Sequence, residues 1–181
     1  MASLTASGSV VRSHLVLAYT CFDTPWGYFG LAATDRGPCG AILPTGSRRK
    51  AERLARRRWP EAGHQPGLLP DLQAKIVAYY AGKRVRFDAA LDLDGLTEFR
   101  QAVLRACARI AYGVTRTYSE LAAEVGSPAA SRAVGGAMAH NPIPLIVPCH
   151  RVVAVGGRLG GFSAEGGLAT KTRMLQLEGI L

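Results

Sequence analysis

Residues 117–140 read TYSELAAEVGSPAASRAVGGAMAH, and the organisation of the chain follows from them. Thr117 and Glu120 form a Thr-x-x-Glu capping box at a helix start. The helix SELAAEV then stops at Gly126, a usual C-terminal residue. Ser127 followed by Pro128 is a second start signal, predicting a helix PAASRAVGGAMA that ends before Asn141-Pro142. Two short helices joined by a Gly-Ser link read as a helix-turn-helix. The second helix is built of small residues, among them Ala133, Gly135, Gly136 and Ala137. Each glycine costs roughly 1 kcal/mol relative to alanine in a helix interior, so a thin face is being kept for a purpose. Close helix packing is one purpose and close approach of a DNA backbone is the other. Arg132 is the only long charged side chain on this helix and, taken alone, reads as a surface charge.

Directly downstream, residues 141–153 read NPIPLIVPCHRVV. A thiol, Cys149, stands beside an imidazole, His150, at the end of an apolar run. Only the thiolate is a good nucleophile, and a neighbouring basic group lowers the thiol pKa. On an extended strand adjacent side chains face opposite ways, so the pair can couple only if the chain bends or a water bridges it. Pro144 and Pro148 make a bend plausible.

Upstream, the stretch LTEFRQAVLRACARI carries Phe99, Val103, Ala106 and Ile110 on one helical stripe, with Cys107 beside it as a small buried hydrophobe. Residues 13–44 read as three strands joined by the turns DTPWG and DRG, a small antiparallel meander. A basic helix is predicted at about 47–58, with Ala51, Leu54 and Ala55 on its packing side. A loop, PEAGHQPGLLP, follows, then a helix over about 70–81 with Pro70 near its start and Gly82 after its end. A short strand RVRF leads to a domain boundary near residue 92. This gives two domains, 1–92 and 93–181, the first α/β and the second mainly α.

The 181 residues, 48% of them hydrophobic, suffice for one large core or two small ones. No apolar run approaches the ~20 residues of a membrane span, and the small, polar first dozen residues read as a frayed end rather than a signal peptide. The formal charge of +9 favours polyanions such as nucleic acid. Much of the excess lies in SRRKAERLARRRW, residues 47–59, whose plainest reading is a solvated helix face. The four cysteines, at 21, 39, 107 and 149, form no Cys-x-x-Cys pair. Without a disulfide framework, a reducing cytoplasm is the expected compartment.

Residues 117–153 together resemble the O6-alkylguanine-DNA alkyltransferases, the methylated-DNA–protein-cysteine methyltransferases. The likeness runs without a gap from about Phe99 to Val153 and resumes through GGFSAEGGLATKTRMLQLEG, covering the second half of the chain; the first half matches only in layout. The resemblance implies a ribonuclease-H-like N-terminal domain and a winged-helix-like C-terminal domain with its helix-turn-helix. It implies DNA repair in which Cys149 irreversibly takes an alkyl group from O6 of guanine, and from O4 of thymine, once per molecule. The base must first be flipped out of the stack.

The same resemblance assigns roles. Glu178 would orient His150, which deprotonates Cys149 through a water, following triad logic. Tyr118 would donate to N3 of the leaving guanine. Arg132 would fill the gap in the base stack, with Ala133, Gly135 and Gly136 facing the minor groove. Met138, Pro144 and Phe162 would line the pocket, the carbonyls of Cys149 and Val152 would accept from the exocyclic amine, and Ser163 would bond O6. Asn141 would tie the turn between recognition helix and active-site segment, and Arg151 would hold structure across the domain interface. Phe162 stands where the family commonly has tyrosine, and Ala164-Glu165 are additional residues beside Ser163. No cofactor and no metal are expected, since Cys21, Cys39, His14 and His64 do not map on the zinc-binding pattern of some members.

The expected partner is double-stranded DNA carrying O6-alkylguanine, entered through the minor groove by a monomer, with cooperative binding along DNA left open and no membrane involved. A non-catalytic damage binder of this fold would lack Cys149. A transcription regulator would need modules for which the chain has no room. A cysteine hydrolase would turn over repeatedly.

Overall fold

The computed structural model describes residues 17–181; the frayed end read at residues 1–12, and His14, lie outside the described residues. Strands β1 (Ala18–Thr24), β2 (Gly27–Thr34) and β3 (Gly37–Thr45) form the antiparallel meander, with Cys21 opposite Gly30 and Phe22 opposite Phe29. Period-2 alternation divides the sheet's two faces. Tyr19, Cys21 and Ala32 meet α1 (Arg48–Arg58), while Phe29, Leu31, Ala41 and Leu43 join the main core under α2 (Pro70–Tyr80). Ser47 caps α1 by accepting from the Lys50 N–H, and Arg56, Arg57 and Arg58 occupy its last turn, where the helix dipole favours cations. Ala51 and Ala55 are fully buried, so the helix lies close to the sheet.

The fourth strand is not RVRF. Residues 83–90 carry no regular structure, and the strand that completes the sheet is β4 (Gly63–His64), inside the stretch read as a loop. It runs parallel to β1 in the order β3-β2-β1-β4. The Gly63 N–H donates to Leu17 O and the Gln65 N–H to Tyr19 O. An open strand edge needs backbone partners, and the chain leaving α1 returns alongside β1 to supply them. Val85 and Phe87 of RVRF are instead held by packing against the main core.

The C-terminal part is helical: α3 (Glu98–Ala108), α4 (Tyr118–Glu124), α5 (Ser131–Ala139) and α6 (Gly167–Leu177). Two dipeptides, β5 (Arg116–Thr117) and β6 (Val152–Val153), pair in parallel. Both halves of the Thr117–Glu120 capping box are formed, and Gly126 adopts a left-handed φ of 74° after α4. The second helix begins at Ser131, three residues later than the Ser127-Pro128 signal. Residues 127–130 close the turn instead, with the Ser127 N–H on Ala122 O and the Ala130 N–H on Ser127 O. Cys107 is fully buried in a core cluster that runs from Phe29 and Leu31 through Val103 and Leu121 to Met174. Among the described residues no helix is long and apolar enough to cross a membrane.

The sheet and the helical part meet along a seam that fixes the loop after α5. The Ala41 N–H of β3 donates to Pro142 O, and Arg58 of α1 bonds both Ala41 O and Pro142 O. Arg173 of α6 stacks over the Trp26 ring at 3.7 Å.

Candidate active site

The loop after α5 is shaped residue by residue. Asn141 accepts the Ile143 N–H on Oδ1 at 3.0 Å and donates from Nδ2 to Val147 O at 2.8 Å, closing the loop on itself. Leu145 sits at φ 78° although it is not glycine; its complete burial holds it in this strained conformation. Pro148, at φ −80° and ψ 65°, forms an inverse γ-turn in which the Cys149 N–H reaches Val147 O at 2.8 Å. Residues 149–151 then make a single 3₁₀ turn, closed by the Arg151 N–H on Pro148 O. The backbone at Cys149-His150 therefore bends and is not an extended strand.

His150, fully buried, donates or accepts at Nε2 against Glu178 Oε1 at 2.7 Å. The same carboxylate takes Arg151 Nε on Oε2 at 2.8 Å and Arg151 Nη2 on Oε1 at 3.0 Å. It also takes the Gly113 N–H on Oε2 at 3.2 Å and the Tyr79 hydroxyl on Oε1 at 2.8 Å. Burial alone would raise the Glu178 pKa; these donors, His150 and Arg151 foremost, override it and bring the carboxyl down to about 2. A carboxylate that stays charged requires His150 Nε2 to carry the hydrogen toward it. Burial keeps the imidazole pKa below its usual value against the upward pull of Glu178, so the ring is neutral. Its Nδ1 is buried and has no protein partner, leaving a lone pair available on the side away from Glu178.

Cys149 is 6% exposed and lines a cavity of about 660 Å³, within the range of small-ligand sites. Met138, Asn141, Pro144, Phe162 and Ser163 share its lining from the helical part. The N-terminal part contributes the opposite wall, with Ala41 and Leu43 of β3 and Leu54, Arg57 and Arg58 of α1. Burial raises the thiol pKa, opposed by the Asn141 side chain and the charge of Lys171. Lys171 is itself fully buried and donates to Val152 O at 2.6 Å. The Cys149 carbonyl accepts the Val152 N–H. Each of these two carbonyls thus takes a donor from the protein, and a carbonyl oxygen has two lone pairs.

The other residues singled out in the sequence fall as follows. Tyr118 starts α4, half-buried, with its hydroxyl against Gly160; a Cβ there would stand 2.4 Å from that oxygen, so only glycine leaves room for the ring. Ser163 donates to Ala139 O at 2.6 Å, which uses its proton within the protein. The additional Glu165 forms an ion pair with Lys50 of α1 across the cavity's edge. On α5, Val134, Ala137 and Met138 are buried, and Arg132, Ala133 and Gly136 are exposed. A Cβ on Gly135 or Gly136 would meet nothing within 4 Å, so close helix packing within this chain does not require those glycines. Cys21 and Cys39 pack in or against the small cluster under α1, and His64 lies 5.2 Å from the Tyr19 ring, centroid to centroid.

Tyr79, Lys171 and Gly113 were missed in the sequence. Tyr79 reads as one apolar member of a buried helix and Lys171 as a solvated charge, and nothing in their spacing points toward Cys149.

A thiol in a cavity, with a buried imidazole and carboxylate behind it, defines a cysteine-nucleophile site on a fold with an N-terminal sheet and a helical C-terminal part. Residues 98–180 match the family model of the 6-O-methylguanine DNA methyltransferase DNA-binding domain. The methylated-DNA–protein-cysteine methyltransferase of Mycolicibacterium paratuberculosis is 39% identical over 90% of this chain and 93% of its own length. That of Mycobacterium bovis is 47% identical over 62% of this chain and 67% of its own. The crystal structure of the Mycobacterium tuberculosis O6-methylguanine methyltransferase superposes with a TM-score of 0.72 at 36% identity, covering 90% of this chain and 92% of that one. A structure of the same organism's protein in complex with DNA gives 0.73 at 38% identity, over 89% and 92%. The chain belongs to the methylated-DNA–protein-cysteine methyltransferase family.

Proposed function

We propose that this protein repairs DNA by moving a methyl or other alkyl group from O6 of guanine, and from O4 of thymine, to Cys149, once per molecule. The observation that carries the reading is Cys149 on the cavity wall beside, in the same turn, a His150 that is bonded to Glu178 and keeps a free lone pair at Nδ1. The thiol proton passes through a water to Nδ1, and Glu178 offsets the charge that forms on the ring. The sulfur–carbon bond forms as the carbon–O6 bond breaks, and guanine leaves with negative charge that Tyr118 offsets by donating to N3. A thioether is not reversed by reductants or water, so the protein is consumed.

The target base lies inside the stack and must be extruded into the cavity. α4 and α5 form a helix-turn-helix whose thin face, Ala133, Gly135 and Gly136, enters the minor groove, while Arg132 takes the vacated place in the stack. Met138, Pro144 and Phe162 give the base an apolar lining, and Asn141 holds the loop; Arg151, expected to bridge the domains, instead bonds Glu178 and Ile110 O inside the helical part and braces the catalytic turn there. The two-domain division at residue 92, with ribonuclease-H-like and winged-helix-like halves, belongs to the same reading. So do a monomeric state and a cytoplasmic home, where four free cysteines stay reduced.

Intact-mass spectrometry after incubation with O6-methylguanine DNA tests the reading. One added methyl group on the peptide containing Cys149 is expected, and none in Cys149→Ala, which still binds DNA. An unmodified protein, or repeated product release without modification, overturns it.

A further inference from the structure

Glu178 Oε1 serves three donors at once: His150 Nε2, Arg151 Nη2 and the Tyr79 hydroxyl. The first two come from the 149–151 turn beside the nucleophile. The third comes from α2, in the N-terminal part, 71 residues before His150. Tyr79 is fully buried, and its oxygen also lies 3.4 Å from His150 Nε2. Its ring is wedged edge-on against Tyr80, Tyr112 and His150, so the hydroxyl has no other place to point.

We propose that Tyr79 is a positioning residue for alkyl transfer, through which the N-terminal part sets the basicity of the His150 imidazole by sharing its carboxylate. This rests on the reading of His150 and Glu178 as the pair that moves the thiol proton. A hydrogen bond donated to Oε1 draws charge from the oxygen that faces Nε2. With that donor present, the carboxylate stabilises an imidazolium less, and the ring stays neutral with Nδ1 open to a proton from the thiol. Removing the donor returns charge to Oε1 and makes Nδ1 more basic. The ring then holds a proton up to higher pH and is lost as a base there.

Arg151 and Lys171 also hold the His150 pKa down by their charge, but among the Glu178 donors of the described residues only Tyr79 comes from the N-terminal part. Arg151 shares both oxygens of Glu178 but belongs to the His150 turn itself. Tyr112, from the loop after α3, spends its hydroxyl on Leu177 O. Lys171 of α6 donates to Val152 O. Cys107 of α3 and Cys149 stand on the thiol side, both with pKa values raised by burial. Arg84 faces Tyr112 from outside. The neighbouring Tyr80 is equally buried, and its hydroxyl has no hydrogen-bond partner, which makes Tyr80→Phe a matched control.

The test uses the full chain and two readouts. The first is the single-turnover rate of Cys149 benzylation by free O6-benzylguanine across pH 4.5–9, which needs no DNA. The second is an NMR titration of ¹⁵N-labelled histidine, with the His150 signal assigned by its loss in His150→Ala. In Tyr79→Phe, the acid limb of the rate profile and the His150 titration both move up by about half a pH unit or more, while Tyr80→Phe leaves both in place. If Tyr79→Phe lowers the rate equally at every pH, or behaves like Tyr80→Phe, the hydroxyl only supports packing and the proposal is overturned. If the wild-type acid limb does not follow the His150 titration, the imidazole is not the base; the reading beneath fails and this proposal with it.

Discussion

At the scale of single residues, Glu178 is the group whose surroundings decide the chemistry. Five donors converge on a carboxylate with no exposed side-chain surface, and removing its charge would leave Arg151 buried without a counterion. Losing one partner of a buried pair costs about 3–5 kcal/mol, and losing a positioned base costs roughly 10²–10⁴ in rate. Glu178→Gln is therefore expected to lower urea stability by about that amount and to slow alkyl transfer by at least ~100-fold. Equilibrium unfolding and single-turnover labelling check the two halves separately. Cys149 belongs to the main buried cluster. Its importance rests on lining a cavity while an amide and an ammonium oppose the effect of burial on its pKa.

At the scale of elements, α5 carries a cost that its own packing does not explain. Gly135 and Gly136 are helical residues facing open space. Alanine at either position meets no neighbour and is the better helix former, by roughly 1 kcal/mol. Gly135→Ala and Gly136→Ala are expected to raise the melting temperature while weakening affinity for duplex DNA carrying O6-methylguanine. A calorimetric scan paired with a DNA-binding titration checks this; unchanged affinity would show that the thin face does not meet DNA. The helix also shows how local signals mislead. Ser127-Pro128 has the chemistry of a helix start, yet Gly126 and the four residues after it are used to turn the chain so that α5 can cross α4, and the first turn of α5 has no side-chain cap. A start signal sets where a helix can begin, and packing against the preceding helix chooses where it does.

At the scale of the whole molecule, the site lies on a seam. Ala41, Arg58, Lys50, Trp26 and Tyr79 from the N-terminal part each make a direct contact with the helical part, so the fold as a whole holds the catalytic turn. This ties global stability to the protonation of the buried pair. The pKa values of His150 and Glu178 are both depressed in the folded protein. The unfolded chain binds protons more readily at both groups, and stability present at neutral pH is lost as pH falls. The loss begins below about 6.5, where the unfolded imidazole charges, and deepens below about 4.5, as pH falls toward the Glu178 value of about 2. Urea midpoints at pH 8, 6 and 4.5 are expected to fall in that order, with Glu178→Gln losing the steeper, lower part of the decline. A flat series would show that the pair does not titrate on unfolding.

The meander, α1, α2, α3 and the capping box at α4 were legible in the sequence because each depends on neighbours a few residues away: alternation, turn residues, helix spacing and caps. β4 was not, since two residues of unremarkable composition become a strand only because an open edge lies beside them. RVRF failed for the converse reason: its β-like residues Val85 and Phe87 are taken up by packing against the main core instead of pairing with a strand. At the site, Cys149 and His150 stood out by chemical type, and the bend between them by its flanking prolines, while Glu178 was reached only through resemblance.

The sequence by itself determined the local shapes, the reactive pair and the family, all of which are written in short-range pattern. The tertiary structure alone decided that Tyr79, Lys171 and Gly113 stand around that pair, that Ser163 spends its proton on Ala139, and that Gly135 and Gly136 face empty space. Such contacts join residues tens of positions apart whose polarity gives no sign of their partners. The polar ones exist because a packed interior pairs nearly all the polar groups it buries.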